Sequence, residues 1–329
     1  MTLRIDLKNA KGLHLSLGGG AARGLAHIGV LRVLEQEEIP IASICGSSMG
    51  AFVGGMFALY KQTDIILEAV RKYIASEHFA SSTVSSIPPS DEDGLTFRQK
   101  IKRGILLGKS IAFGQVIPFE EWAGAMYAMV PDAEFKDTAI PFYATGLDLS
   151  IKREVIFVEG SLRSAILASC SIPGVFPPVK EGGNVYVDGG WIDKVPVRPL
   201  IQFGAREILA IDVSNKIEIA EDKTPGYTII LKSYAAIQKT LDQIQIELAP
   251  LKWKLPVDHI FWSSFDQVDS IVELGENYAR EHIHEIRRLL KEQTPLRSIW
   301  ARVKRANCVK LPPGATPIQL RSIGVVEPL

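Results

Sequence analysis

Twice near its start the chain passes from a short apolar strand through a glycine-rich turn into an apolar helix. "LHLSL" (13–17) runs into "GGGAARGLAHIGVL", and "IASIC" (41–45) runs through "GSSMGA" into a helix from Met49 to about Tyr60. A helix inserted between consecutive strands is the crossover that a parallel pair requires, so this order calls for an α/β fold wound on a parallel sheet. Leu25, Ile28, Leu31 and Leu34 recur along one side of a helix expected over 21–37, and a further helix is expected over Asp64–Ala75. Strands follow within 140–150 and 153–160, a helix around 161–168, then strands in "NVYVDGG" and "EILAIDV" (207–213). Residues 228–249 read as an amphipathic helix with Ile230, Tyr234, Ile237, Leu241, Ile244 and Leu248 on one side, and 271–293 as a charged one.

Two stretches stand apart from this rhythm. Residues 76–118 begin loop-like and then turn basic and apolar, with Arg98, Lys100, Lys102, Arg103 and Lys109 set among Leu95, Phe97, Ile101, Ile105, Leu106, Ile111 and Phe113. Such a segment suits a lid or an interfacial element meeting anionic headgroups, and equally a solvated helix packing one face on the core. Residues 294–329 read as a basic, proline-containing C-terminal extension to a single domain spanning 1–293.

Lys plus Arg and Asp plus Glu each total 37, so the 329-residue chain has no net charge, which argues against nucleic acid as a partner. Cys45, Cys170 and Cys308 are too few and too scattered for a disulfide framework or a zinc site. No metal or other cofactor is expected. The first residues lack a secretory pattern, and no apolar run is long enough for a membrane span. The expectation is a cytoplasmic protein, with peripheral membrane contact through 95–114 if that segment is interfacial.

The glycine turns carry the chemistry. A phosphate loop would end in Gly-Lys-Ser/Thr, where this chain has Ala22-Arg23-Gly24, and a dinucleotide pattern begun at Gly18 would place Arg23 at its final glycine. The second turn, Gly46-Ser47-Ser48-Met49-Gly50, fits G-x-S-x-G, in which a serine is presented on a strained strand-to-helix turn. A serine nucleophile needs donors for the oxyanion it creates, and the amides of Gly18, Gly19 and Gly20 stand one strand away. Of the six histidines, only His259 has a tolerable setting for a triad base; His27 reads as packed in its helix, and His282 and His284 as solvated. Asp188, followed by Gly189 and Gly190, offers a carboxylate base at a strand end, although Asp-Gly also suits an ordinary surface turn.

Taken in order, "GGGAARGLAHIGVL", "GSSMGA", "SCSIPGVFPPV" and "VDGG" resemble the patatin-like phospholipases, both the bacterial members and the catalytic domain of the neuropathy target esterase group. The resemblance covers about 11–215 closely. It implies a three-layer α/β/α sandwich with a mostly parallel central sheet. It also implies a serine–aspartate dyad without histidine: Ser48 as nucleophile, Asp188 as base, Gly18, Gly19 and Gly20 as the oxyanion loop. Arg23 matches the loop's basic position, as a phosphate contact or a support, while Gly46, Gly50, Gly189 and Gly190 frame the two motifs. Ala21 departs from the pattern, since many relatives carry a fourth glycine there. The implied activity is hydrolysis of fatty-acyl esters in (lyso)phospholipids or related lipids through an acyl-enzyme. An acyltransferase using the same intermediate, or a non-catalytic regulatory protein on the same fold, are the alternatives.

Overall fold

The computed structural model describes residues 5–83, 85, 115–215, 226–291 and 316–320. The basic part of the expected lid, 95–114, lies outside them, as does most of the expected C-terminal extension. In chain order the elements are β1 (Leu13–Leu17), a 3₁₀ turn (Ala21–Leu25), α1 (Ala26–Gln36), β2 (Ile41–Gly46), α2 (Met49–Tyr60), α3 (Thr63–Ile74), α4 (Glu77–Ala80) and α5 (Phe119–Met129). There follow β3 (Phe142–Asp148), β4 (Arg153–Gly160), α6 (Leu162–Ser169), β5 (Val179–Glu181), β6 (Asn184–Asp188) and α7 (Val197–Gln202). The chain continues through β7 (Ile208–Asp212), α8 (Gly226–Ile246), β8 (Leu251–Lys254), α9 (Val268–Lys291) and β9 (Thr316–Leu320).

The helix expected from residue 21 thus starts as a tighter 3₁₀ turn. α5, α7, β5, β8 and β9 are short or weakly patterned elements that periodicity did not single out. β9 comes from the stretch read as an extension and lies parallel to β4.

The sheet is mixed and mostly parallel. β2–β1–β7–β8 run parallel, and β3 joins β2 in the same direction. β4 and β6 then pair antiparallel with β3. β4 covers one edge of β3 from Ala144 to Asp148, so both other partners must share the opposite edge. β2 occupies its lower half, ending with Gly46 beside Ala144, and β6 its upper half, ending with Asp188 beside Gly146. Two strands therefore meet end to end, with only Thr145 between their last partners.

Side chains alternate across the sheet, so one strand feeds two cores. Leu13, Leu15 and Leu17 of β1 join a large cluster with α1, α2, α3, α5, α6 and α9. Cys45, Tyr143, Ile156, Ile208 and Ala210 face a smaller cluster under α7 and the end of α8. His14, on this smaller face, sits 2.7 Å from Ser43 Oγ, and burial pushes its pKa down to about 4, so the ring is neutral. Helices cover both faces, the three-layer arrangement expected. Among the described residues no helix is long and apolar enough to cross a membrane, and no cluster of His, Cys, Asp or Glu could hold a metal ion.

Candidate active site

Ser48 follows β2 by two residues and opens α2. Its backbone, at φ 53° and ψ −125°, lies where a residue with a side chain is strained. Close packing holds it there: a Cβ on Gly50 would lie 2.1 Å from the Leu17 carbonyl, and one on Gly46 would lie 2.4 Å from that of Gly50. Any side chain at either position would force β1, β2 and α2 apart. The amide of Ser48 donates to Ser169 Oγ at 3.0 Å, tying the turn to the end of α6.

The junction of β2 and β6 on the edge of β3 brings the second residue into place. Ser48 Oγ donates to Asp188 Oδ2 at 2.6 Å across 140 residues of sequence. The other carboxylate oxygen accepts the Gly190 amide at 2.7 Å, and the Asp188 amide donates to the Ser171 carbonyl. Both residues are buried, Ser48 at 6% and Asp188 at 3% exposure. Burial raises the Asp188 pKa from 3.8 to about 6, against the opposing pull of the Ser48 hydroxyl, the Gly190 amide and the Lys194 charge.

The glycine loop lies alongside. Gly18 donates its amide to the Ile211 carbonyl at 3.0 Å, and Gly19 donates to that of Lys194 at 2.9 Å. Those two amides are engaged within the fold. Among the described residues the amides of Gly20, Ala21 and Met49 have no acceptor. Ala21, the departure from the family pattern, has φ 48°, the left-handed region that favours glycine. His27 donates from Nε2 to the Gly18 carbonyl at 2.8 Å, fully buried, with its pKa lowered to about 4 chiefly by desolvation. It anchors the loop as a neutral ring.

None of the six histidines hydrogen-bonds to Ser48 or Asp188. His259 is exposed and borders a separate surface cleft beside Ser264 and Glu273. Arg23 is buried and donates from Nη1 to the Ile260 carbonyl at 3.1 Å, while its Nε has no partner among the described residues.

Two hollows meet at Ser48. One, with about 850 Å³ of empty space, is lined almost wholly by apolar groups, among them Phe52, Val70, Trp122, Ala125, Met126 and Phe176. The other, about 690 Å³, is bordered by Gly20, Arg23, Asp188, Lys194, Gln238 and Trp262. Lys194 there is held below its ordinary pKa by desolvation, with Arg23 adding repulsion and Asp242 opposing the shift. Sequence reasoning missed Lys194, Ser169 and Gln238. Lys194 lies six residues after Asp188, the only one of the three with a local cue; the others arrive through long-range packing.

A family model described as "Patatin-like phospholipase" matches residues 15–201, more than half of the chain. Lysophospholipase NTE1 of Cryptococcus neoformans var. neoformans serotype D (strain JEC21) is 33% identical over 201 residues, covering 61% of this chain and 11% of that protein. The lysophospholipase NTE1 of Eremothecium gossypii is 26% identical over 313 residues, 84% of this chain and 18% of that protein. The chain thus spans less than a fifth of the length of these curated relatives. Among solved structures, VipD from Legionella pneumophila covers 86% of this chain and 67% of its own, at 14% identity and a TM-score of 0.45.

Proposed function

Because this chain belongs to the patatin-like phospholipase family, we propose that it hydrolyses fatty-acyl esters of (lyso)phospholipids or related lipids through a Ser48–Asp188 dyad. The observation that carries this reading is the 2.6 Å hydrogen bond from Ser48 Oγ to Asp188, located where an apolar hollow meets a polar, cationic one. An acyl chain suits the first and a phosphate-bearing headgroup the second, which leaves the ester between them at the hydroxyl.

In this reaction Ser48 Oγ attacks the ester carbonyl as its proton passes to Asp188 Oδ2. The carbonyl oxygen becomes an oxyanion, received by the unengaged amides of Gly20, Ala21 and Met49 at the start of α2. Gly18 and Gly19 serve as the braced base of that loop. Collapse of the intermediate breaks the ester bond, and the departing alkoxide takes the proton from Asp188. Water then attacks the acyl-Ser48 carbonyl and gives a proton to Asp188; that proton returns to Ser48 Oγ as the fatty acid leaves. A carboxylate whose pKa is near 6 is a better base than an ordinary aspartate and is still ionised at neutral pH.

The test is a lipid substrate panel with fluorophosphonate labelling, comparing wild type with Ser48→Ala. Wild type should label and release free fatty acid, whereas Ser48→Ala should do neither. An unlabelled wild type, or a Ser48→Ala variant that still hydrolyses esters, overturns the reading.

A further inference from the structure

Helix α8 meets the active-site turn through polar side chains. Tyr234, Gln238, Asp242 and Gln245, spaced by four, four and three residues, fall on one side of it. Each reaches the stretch that follows Asp188. Tyr234 donates from its hydroxyl to the Trp191 carbonyl, and its ring stacks on that of Trp191 at a centroid separation of 4.6 Å. Gln238 donates to the Gly190 carbonyl, Asp242 faces the Lys194 amide, and Gln245 reaches the buried Asp193 carboxylate.

The turn needs such a hold at one residue above all. Among the described residues the Asp188 carboxylate has two donors, Ser48 Oγ on Oδ2 and the Gly190 amide on Oδ1. With Oδ1 tied, Oδ2 is the oxygen left to face the nucleophile. Gly189 is fixed by packing, since a Cβ there would lie 2.5 Å from the Thr145 carbonyl. Gly190 has no such wall: a Cβ there would find Asp188 Oδ1 at 3.0 Å and Ser47 Oγ at 3.6 Å. A glycine without close backbone packing keeps wide conformational freedom. Gln238 restrains its carbonyl from 48 residues further along the chain, and Tyr234 holds the carbonyl that follows.

We propose that Gln238, supported by Tyr234, is a positioning residue for Asp188: by holding the Gly190 carbonyl it keeps the Gly190 amide on Oδ1 and so keeps Oδ2 aimed at Ser48. The proposal rests on the dyad reading above, in which Asp188 is the base. Gln238 acts through the turn and takes no proton. Released, the Gly190 amide would leave Oδ1, and Oδ2 would lose its aim. The carboxylate would also lose a donor that opposes the effect of burial, so its pKa would rise. The titratable groups facing Asp188 are Lys194, Cys170 at the end of α6, and Tyr234. Burial pushes the Cys170 thiol up and takes the Tyr234 hydroxyl to about 12, so both stay neutral below pH 8.

The experiment measures kcat and KM from pH 5 to 8 for wild type, Gln238→Met and Tyr234→Phe, on a short-chain uncharged ester and on a phosphate-bearing lipid. Methionine keeps the length and helix propensity of glutamine but donates nothing. Gln238→Met should lower kcat about tenfold with KM within about twofold on both substrates, and raise the midpoint of kcat/KM by about half a pH unit. Tyr234→Phe keeps the ring stack and should move both quantities the same way by less; it carries the test if Gln238→Met fails to fold. Asp242 shares this side of α8 and has its own pKa of about 6, so the profiles are repeated in an Asp242→Asn background, where the shift must persist. Activity lost with the midpoint unmoved is the mark of a merely structural role and overturns the proposal. So does a rise in KM confined to the phosphate-bearing lipid, which would make Gln238 a headgroup contact. Either result leaves the dyad standing, whereas a flat wild-type profile removes Asp188 as base and this proposal with it.

Discussion

The two hollows that meet at Ser48 are built from opposite materials. The apolar one is walled by helices α2, α3 and α5, and Trp122 stacks on Phe176 at a ring separation of 3.8 Å. The polar one is walled by loop ends and α8, and it holds Arg23 and Lys194 at reduced solvation. Asp188 feels both environments: the dry surroundings raise its pKa, and the Lys194 charge restrains the rise. A carboxylate placed wholly on the apolar side would stay protonated, and one placed wholly among cations would be a poor base. The boundary itself supplies the useful intermediate value.

The largest disturbance of this contrast is removal of its shared charge. Asp188→Asn should lower kcat about a thousandfold, the middle of the range for a general base, in a steady-state assay with any accepted ester. The same substitution should raise stability at pH 8. The folded-state pKa of Asp188 is raised to about 6 from 3.8, so its protonated form is favoured by folding below pH 3.8, and that advantage is lost as pH rises through 6. The variant should gain on the order of 1–3 kcal/mol at pH 8 and nothing at pH 3.5, measured by chemical denaturation. Wild-type kcat/KM should climb with a midpoint near pH 6, and a flat profile from pH 5 to 8 would contradict the assignment of Asp188 as base.

Filling the apolar side should come next in size. Ala125→Trp projects bulk from α5 into the hollow and should cut long-chain ester turnover about tenfold or more, sparing short-chain esters. Discharging the polar side should do less. Lys194→Met keeps the length of the side chain; assayed at pH 8, well above the Asp188 pKa that the lost charge would raise, it should lower kcat/KM about fivefold more for phosphate-bearing lipids than for uncharged esters. Equal effects on both substrate types would mean that Lys194 supports structure without reading the headgroup. The smallest change expected is from Ala21→Gly. It relieves a left-handed alanine and should add about 1 kcal/mol of stability, with turnover unchanged within about twofold.

Much of this arrangement was legible from local sequence. Strand, glycine turn and helix recur in order, and their boundaries follow the apolar runs: the helix read from Met49 to Tyr60 has those ends in the structure. The motifs around Ser48 and Asp188 could each be seen alone, and the resemblance paired them; the sheet topology brings them within hydrogen-bond reach. What stayed hidden depends on distant partners. α5 has a weak apolar pattern, "FEEWAGAMYAM", because its apolar side chains are divided between packing on the core and lining a hollow. In α8 and α9 the periodicity revealed an apolar stripe on each, but not where it points. α9 buries Ile271, Ala279 and Ile286, whereas α8 exposes Ile230, Ile237 and Ile244. A stripe is a property of one segment, and its covering is a property of the whole chain. Gly18 and Gly19 teach the same lesson, because only the neighbouring Ile211 and Lys194 carbonyls reveal that their amides are already engaged.

The end-to-end meeting of β2 and β6 on β3 has a consequence for how the protein can be assayed. A slip of one residue in β6 would move Asp188 about 3.3 Å along the sheet and turn its side chain to the other face. Helix content and compactness would hardly change, yet Ser48 would lose its partner. Chemical reactivity at Ser48 is therefore a gauge of strand alignment, finer than any spectroscopic measure of folding. A refolded sample could be graded by the fraction of molecules that an active-site probe can titrate.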